Sequence, residues 1–202
     1  MAERLRIGSL EFLNARPLVE GLEAEAGVSV RRAAPSALGP MLARGEVEAA
    51  LVPSVEYFRL AAGLGERVRG GGPSRLVGLR VAAIGSRGAV GSVRVFGYKA
   101  RAEVRRVALD PASRTANAMA RLLLVRMLGR RVHFASPEEG AGARAADAEV
   151  VIGDAGLVAE RPGAAWVLDL GEAWEEAWGE PFVYAFWAAR ADAPLGRAAA
   201  VL

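Results

Sequence analysis

The chain has 202 residues, of which 52% are hydrophobic; this is enough apolar surface for buried cores and excludes disorder as the bulk state. Cysteine is absent and His133 is the single histidine, so disulfides and thiolate metal sites are excluded, and a His-based metal site or a Ser/His triad is disfavoured. The formal net charge is +3, but the 26 basic residues are scattered among 23 acidic ones without a basic stripe, so we predict no nucleic-acid binding.

Short apolar strands alternate with helical patterns in the first third of the chain. We predict strands at residues 5–10, 28–34 and 47–52, and helices at residues 17–26, 36–44 and 54–60. Ser36 and Ser54 are expected to cap the second and third helices. This β-α-β-α-β order favours a parallel sheet covered by helices.

A second series of elements follows a breaker at residues 70–73. We predict strands at residues 76–84, 92–98, 107–110, 132–135, 149–152, 166–170 and 182–189. The strongest helix is 113–128, where apolar residues recur at helical spacing before Gly129. His133 is expected to be a strand residue that faces solvent or a lobe surface. Trp174 and Trp178 lie four apart on one helix face, which favours core packing over a stacking platform.

The pattern of extended segments changes near residues 85–98 and again near Pro181. Two such crossings are typical of a protein with two lobes joined by a hinge. We therefore predict that lobe 1 comprises residues 1–88 and 185–202, and that lobe 2 comprises residues 89–184. In open α/β sheets, ligands bind at the carboxyl ends of strands, and helix N-termini there favour anions.

Two polar clusters stand at such strand ends in the first half of the chain. The first contains Ser9 and Asn14, and Asn14 either caps the following helix or hydrogen bonds a ligand. The second contains Ser86, Arg87 and Gly88. It is either a flexible crossover loop or a ligand-facing loop whose glycines let backbone N–H groups approach a carboxylate.

A third cluster opens the strongest predicted helix. Ser113, Arg114 and Thr115 form either a capping motif with an exposed arginine or an anion site at the first helical turn. Asp154 ends an apolar strand, and we expect it to cap the next element, with a role in the site as the alternative. We predict that Asn14, Ser86 and the residues 113–115 converge on one pocket.

Six segments of the chain, read in order, carry a family resemblance. They are LEFLNARPL, GEVEAALVPSVEYFR, GAVGSVRVF, VALDPASRTANAMARLLL, VVIGDAGL and LGEAWEEAWGEPFVYAFWAAR. Together they resemble the chorismate dehydratase family of the futalosine route to menaquinone. The resemblance implies an α/β, two-lobe, periplasmic-binding-protein-like fold of type 2, with mixed sheets flanked by helices and the ligand between the lobes.

The resemblance also implies a reaction, the dehydration of chorismate to 3-[(1-carboxyvinyl)oxy]benzoate without a metal or organic cofactor. For this reaction we expect Asn14 and Ser86 to be catalytic, by orienting the ring and stabilising developing charge. The expected substrate-binding residues are Ser9, Gly88, Ser113, Arg114, Thr115 and Asp154. Because no matched position is an evident strong base, we expect the enolpyruvyl carboxylate of the substrate to accept the ring proton.

Two alternatives to this function remain open. One is a non-catalytic module of the same fold that binds or senses small anions. The other is the sister enzyme 1,4-dihydroxy-6-naphthoate synthase, which resembles this family but has a Ser-Pro-Cys-Pro-Asn-Asp motif where this chain has SLEFLNARP. The absence of that motif and of cysteine favours the dehydratase, with chorismate as the only predicted partner.

The family sequence differs from this chain in two places and extends beyond it. The loop reads Gly88-Ala89-Val90 where the family commonly has proline after the glycine, and the helix start has alanine on both sides of Ser-Arg-Thr. Family chains continue past residue 202. We expect the C-terminal part of lobe 1 to be missing and the short chain to be less stable and less active than an extended one. No apolar run of about 18 residues and no secretion signal is seen, so we predict a cytoplasmic protein without a membrane span.

Overall fold

The chain folds into two α/β units. The computed structural model describes residues 4–64, 75–136 and 146–202, and the predicted breaker at 70–73 lies outside these ranges. Unit 1 comprises Met1–Ile84 and Val183–Leu202, and unit 2 comprises Gly85–Phe182. The sequence expectation set the two divisions at 88/89 and 184/185. Among the helices of these described ranges, none has the apolar length that a membrane span requires.

The helices and strands of the described residues follow one another in a mixed α/β order. In chain order they are β1 (Leu5–Leu10), a 3-10 helix (Leu13–Leu18), β2 (Val28–Ala33), α1 (Pro35–Ala43), β3 (Ala49–Pro53), α2 (Ser54–Ala61), β4 (Leu76–Ser86), β5 (Val93–Gly97), a 3-10 helix (Arg101–Glu103), β6 (Arg106–Ala108), α3 (Arg114–Leu128), β7 (His133–Ala135), β8 (Ala148–Ile152), α4 (Gly153–Val158), β9 (Trp166–Asp169), α5 (Leu170–Trp178), β10 (Phe182–Arg190) and α6 (Leu195–Val201). The short helices α4 and α6 were not predicted from the sequence.

Unit 1 is built on a five-stranded sheet with the order β2-β1-β3-β10-β4. β1 pairs in parallel with β2 and β3, which confirms the predicted parallel start, whereas β10 pairs antiparallel with β3. All five residues of β3 are buried, as expected for a central strand with both faces covered. The core between the sheet and its helices contains Ile7, Leu38, Leu51 and Trp187, each 0% exposed.

The helix predicted at residues 17–26 is wrong. The chain forms the 3-10 helix Leu13–Leu18, followed by turns. Pro17 lies inside this short helix and removes one backbone donor, and Gly21 has a φ of 83°, which an α-helix does not accept. The backbone N–H of Leu22 accordingly donates to the carbonyl of Val19, three residues earlier.

The two serine caps predicted in unit 1 are also wrong. Neither α1 nor α2 has a side-chain cap, and Ser36 lies inside α1 because that helix begins at Pro35. Proline at the first helical position fixes a helical φ, so the start moves one residue earlier. The Ser54 hydroxyl instead donates to the carbonyl of Tyr184 at 3.4 Å, which joins the start of α2 to β10.

Unit 2 is built on a second five-stranded sheet, with the order β7-β6-β8-β5-β9. β6 is parallel to both of its neighbours, and β5 is antiparallel to both of its own. Its core contains Val95 and Leu124, both 0% exposed, and Phe96 and Met119, at 2% and 1%. Because β5 runs against β8 and β9, the start of β5 lies at the edge where those two strands end.

The helix predicted at 113–128 is confirmed as α3. Ser113 is its N-cap and accepts a hydrogen bond from the N–H of Ala116 at 3.1 Å, and Gly129 ends it with a φ of 63°. His133 is exposed on β7, as predicted. The core packing expected for the two tryptophans is seen only in part, because their ring centroids are 4.2 Å apart but Trp178 is 42% exposed.

Asp147, just before β8, is a buried carboxylate bonded to three donors. Its Oδ1 accepts an ion pair from Lys99 Nζ at 2.6 Å, and its Oδ2 accepts from the backbone N–H groups of Arg105 and Arg106 at 2.7 and 2.9 Å. The Lys99 ammonium, followed by the two N–H groups, lowers the pKa of Asp147 from its usual 3.8 to about 2 against the opposing effect of burial. The charged form of Asp147 therefore stabilises the folded state.

This lowered pKa predicts an acid-dependent loss of stability. We expect Asp147→Asn to lower the free energy of unfolding, with its full effect above about pH 4. The difference in unfolding free energy from wild type should shrink as the pH falls from about 4 to about 2. Urea unfolding of both proteins across this range measures the difference. Lys99→Met should bring the pKa of Asp147 closer to its usual value, because Lys99 is the largest cause of the shift, and the pH range of the effect should become narrower. A difference that stays constant down to pH 2 would contradict the assignment.

Candidate functional site

One edge of the unit 2 sheet brings together turns that are distant in the sequence. The register pairs Val93 with Ile152 and Arg94 with Asp169, so the start of β5 meets the ends of β8 and β9. β6 is parallel to β8 and ends at the same edge. The loop 86–92 and the N-termini of α3, α4 and α5 therefore all lie there. We call this region the unit 2 edge.

The N-terminus of α3 contributes three of the predicted residues to the unit 2 edge. Ser113 and Thr115 are buried, at 8% and 2% exposure, whereas Arg114 is exposed. The Ser113 oxygen serves as the helix cap, so the capping interpretation of this motif is confirmed. The hydroxyl hydrogen of the same side chain and the positive end of the helix dipole remain suited to an anion.

The turn before α3 is braced by two residues that the sequence analysis did not single out. Asp110 accepts from the N–H of Ala112 at 2.8 Å and from the N–H of Ile152 at 3.2 Å, which ties the end of β6 to the end of β8. Asn117 exchanges two hydrogen bonds with the Asp110 backbone, at 3.0 and 2.7 Å. The pKa of Asp110 is raised above its usual value, mainly by burial and also by the charge of Glu149. The two N–H groups offset part of this rise.

The loop 86–92 is held by hydrogen bonds within unit 2. The Ser86 hydroxyl donates to the Gly88 carbonyl at 3.2 Å. Gly88 and Gly91 each have a φ of 74°, so both glycines are needed for the turn itself. The N–H groups of Val90 and Gly91 donate to the carboxylate of Asp169, at 3.0 and 2.7 Å. The N–H groups of Val90 and Gly91 therefore bind a carboxylate of the protein itself, and not one of a ligand.

Asp154 lies in the first turn of α4 and is exposed. The expectation that it caps this helix is wrong, because the N-cap is Ile152 and α4 begins at Gly153, which has a φ of 66°. The helix then runs very close to β5 at Gly156, where an added Cβ would lie 2.9 Å from the carbonyl carbon of Ser92. Asp154 therefore lies at the unit 2 edge, on a helix that packs closely against the start of β5 because Gly156 has no side chain.

Ser9 and Asn14 belong to unit 1, at the end of β1. Ser9 is 0% exposed and its hydroxyl donates to the carbonyl of Leu10 at 3.4 Å. Asn14 is exposed inside the 3-10 helix, whose N-cap is Phe12, so the interpretation of Asn14 as a helix cap is wrong. Among the described residues, no hydrogen-bond partner of the Asn14 amide is seen.

The described ranges contain no group of three His, Cys, Asp or Glu side chains placed to hold a metal ion. The polar groups at the unit 2 edge are hydroxyls, backbone N–H groups, the N-termini of three helices, the exposed side chains of Arg114 and Asp154, and the carboxylates of Asp110 and Asp169, which accept N–H groups. Such a set can bind and orient an anionic molecule through preorganised donors.

Sequence comparison relates almost the whole chain to one family. Residues 5–202 match the model of a family described as menaquinone biosynthesis. A chorismate dehydratase of Thermus thermophilus is 32% identical over 205 residues, which cover 93% of this chain and 70% of the relative.

Solved structures with similar folds extend the comparison to more distant proteins. A protein from Archaeoglobus fulgidus matches with a TM-score of 0.64 and 15% identity, over 97% of this chain and 71% of the other. A Candida albicans gene product, described as having the generic periplasmic binding protein fold, matches with a TM-score of 0.53 and 12% identity, over 98% and 66%. At these identities the likeness concerns the fold alone. The predicted periplasmic-binding-protein-like α/β fold is thus confirmed.

Proposed function

The chain belongs to the menaquinone biosynthesis family, and from this membership we propose that it dehydrates chorismate to 3-[(1-carboxyvinyl)oxy]benzoate. The observation that carries the proposal is the 32% identity to a chorismate dehydratase over 93% of the chain. The hydroxyls, N–H groups and helix N-terminus of the unit 2 edge support it because they suit an anion. The substrate is a dicarboxylate.

In this reaction the protein mainly binds and orients the substrate. Chorismate has two carboxylates, an enol ether and a ring hydroxyl, and loss of water makes its ring aromatic. The electrons of the broken ring C–H bond form the new double bond, the ring C–OH bond breaks, and hydroxide leaves with a proton as water. The free-energy drive comes from the substrate, so the site must hold it, promote proton removal and assist hydroxide departure.

Arg114 and the start of α3 are the proposed carboxylate anchor. An exposed guanidinium beside a helix N-terminus combines a charged donor with the positive end of the dipole. Ser9, Gly88, Ser113, Thr115 and Asp154 are proposed to complete substrate binding.

Asn14 and Ser86 are the proposed catalytic residues, through hydrogen bonds that orient the ring and stabilise developing charge, and the Ser86 hydroxyl would exchange its bond to the Gly88 carbonyl for one to the substrate. The carboxylates of Asp110 and Asp169 at the unit 2 edge already accept backbone N–H groups. We propose the enolpyruvyl carboxylate of chorismate itself as the proton acceptor. Its attachment to the reacting ring makes this transfer intramolecular, which raises its effective concentration.

Turnover of chorismate tests the proposal directly. Purified protein should convert chorismate into the aromatic product, followed by chromatography with ultraviolet detection against heat-denatured protein. Tight binding of chorismate without product would contradict catalysis and favour a binding or sensing module. Neither binding nor turnover would reject chorismate as the ligand.

A matched pair of arginine variants tests the anchor. We expect Arg114→Ala to weaken chorismate binding by about 10- to 150-fold, the equivalent of about 1.5–3 kcal/mol for a charge-assisted hydrogen bond. Arg121→Ala removes the same charge from the same helix, where the exposed guanidinium lies 4.8 Å from the ring centroid of Phe134. Its effect on binding should be small. Equal losses in calorimetric titrations of the two variants would show that only net charge matters.

A further inference from the structure

Asp169 ends β9 and accepts hydrogen bonds from two separate parts of unit 2. Its Oδ1 caps α5 by accepting from the N–H groups of Gly171 at 2.9 Å and Glu172 at 3.2 Å. The same oxygen accepts from the N–H of Val90 at 3.0 Å, and Oδ2 accepts from the N–H of Gly91 at 2.7 Å. One carboxylate thus binds both the start of α5 and the loop 86–92. Val90 in this loop lies 79 residues before Asp169 in the sequence.

Capping α5 alone does not require this arrangement. A serine oxygen caps a helix about as well as an aspartate oxygen, and Oδ2 takes no part in the cap. The two additional bonds are made to a loop whose Gly91 has a φ of 74°, a backbone conformation that most residues avoid. A charged acceptor binds N–H groups about twice as strongly as a neutral one, so Asp169 is well suited to hold this turn.

The same helix holds the loop at a second point. Glu175, in the following turn of α5, lies 3.4 Å from Arg87 Nη1 through its Oε1. Arg87 directly precedes Gly88 in the loop. The Gly88 carbonyl in turn accepts the Ser86 hydroxyl. A short path of contacts therefore leads from α5 to the hydroxyl of Ser86.

We infer that Asp169 is a positioning residue that fixes the loop 86–92, and with it the Ser86 hydroxyl, for the reaction at the unit 2 edge. This inference rests on the proposed function for its catalytic part. Asp169 would not touch the substrate; it acts by holding the loop in one conformation. Loss of the loop bonds should lower the rate of the chemical step more than the affinity for substrate.

Two variants separate the cap from the loop. Asp169→Ser keeps one oxygen for capping α5, but its shorter side chain loses both bonds to Val90 and Gly91. Asp169→Asn keeps Oδ1 and places an amide NH2 against the N–H of Gly91, donor against donor. Glu172→Gln is the control, because it removes an exposed charge from the same helical turn without touching the loop.

Backbone hydrogen exchange by NMR and steady-state kinetics with chorismate are the two readouts. In Asp169→Ser we expect exchange at Val90 and Gly91 to accelerate by about tenfold or more, while Gly171 and Glu172 keep their protection. We expect kcat to fall about 10- to 100-fold with KM within about threefold of wild type. Asp169→Asn should show the same pattern more weakly, and Glu172→Gln should match wild type.

Several outcomes would overturn the inference. These are unchanged exchange at Val90 and Gly91, equal acceleration at the α5 amides, or an unchanged kcat in a variant whose loop exchanges rapidly. If Asp169→Ser does not fold, the same comparison is made with Asp169→Asn. If the wild-type protein does not turn over chorismate, the proposed function fails, and the exchange data alone then decide whether Asp169 holds the loop.

Discussion

Asn14→Ala is expected to lower kcat for chorismate by about 100- to 1,000-fold, the range seen when one preorganised donor is removed from a site that stabilises developing charge. The melting temperature should not change. Asn14 is exposed, does not cap the 3-10 helix, and has no hydrogen-bond partner among the described residues, so the fold does not depend on its amide. A loss of rate without a loss of stability would identify a residue kept for chemistry.

Two further variants sharpen this measurement. Arg16→Ala changes another exposed side chain of the same 3-10 helix and should leave both kcat and the melting temperature close to wild type. Asn14→Asp keeps the size of the side chain but replaces the donor with a negative charge, and it should be as inactive as Asn14→Ala toward an anionic substrate. An Asn14→Ala protein with more than about a tenth of the wild-type kcat would remove Asn14 from the proposed catalytic pair.

Gly156→Ala is expected to destabilise the protein by about 1–3 kcal/mol, the usual cost of overpacking a tightly packed site. The added Cβ would overlap the carbonyl group of Ser92, with 2.9 Å to its carbon, and would lie 3.2 Å from the carbonyl oxygen of Val151. Both neighbours are backbone atoms and cannot rotate away. α4 must therefore shift from β5, which also strains the hydrogen bond from Arg94 Nε to the Gly156 carbonyl at 2.7 Å.

Gly196→Ala is the matched control, since it makes the same change inside another short helix, α6. Gly196 is exposed, and no heavy atom lies within 4 Å of its added Cβ. Alanine is a better helix former than glycine by about 0.8–1 kcal/mol, so this variant should be stabilised. Chemical denaturation of the two variants should give free-energy changes of opposite sign. The same sign in both would mean that the contact at Gly156 does not limit the packing of α4.

Local sequence patterns predicted elements well where all the information lies within a few turns of chain. α3 has an apolar period of helical spacing, a serine N-cap at Ser113 and a glycine after its last turn, and these signals agree. The segment 17–26 has helix-forming residues, but Pro17 and Gly21 outweigh them. α4 was missed because glycines at its start and middle gave no helical signal, although Gly156 is there for its close contact with β5.

The candidate site shows the same division between local and long-range information. Hydroxyl and amide residues at strand ends were recognisable because each stands where a strand passes into the next element. Asp110 and Asp169 were missed because their partners, Ile152 for one and Val90 and Gly91 for the other, lie 42 to 79 residues away. Only the antiparallel placement of β5 brings the loop 86–92 next to the end of β9, and no local pattern encodes that pairing.

The position of β10 sets an order on folding during synthesis. β10 is the last strand of the described residues, yet it lies between β3 and β4 in the sheet of unit 1. A ribosome must therefore finish all of unit 2, which is one continuous stretch, before β4 can gain its neighbour in unit 1. Unit 2 can fold first on the nascent chain, while β4 still lacks β10 as its partner strand. An unpaired strand of this kind promotes misassembly. A pause in translation just before Phe182 would prolong that exposure, and faster synthesis through β10 would shorten it.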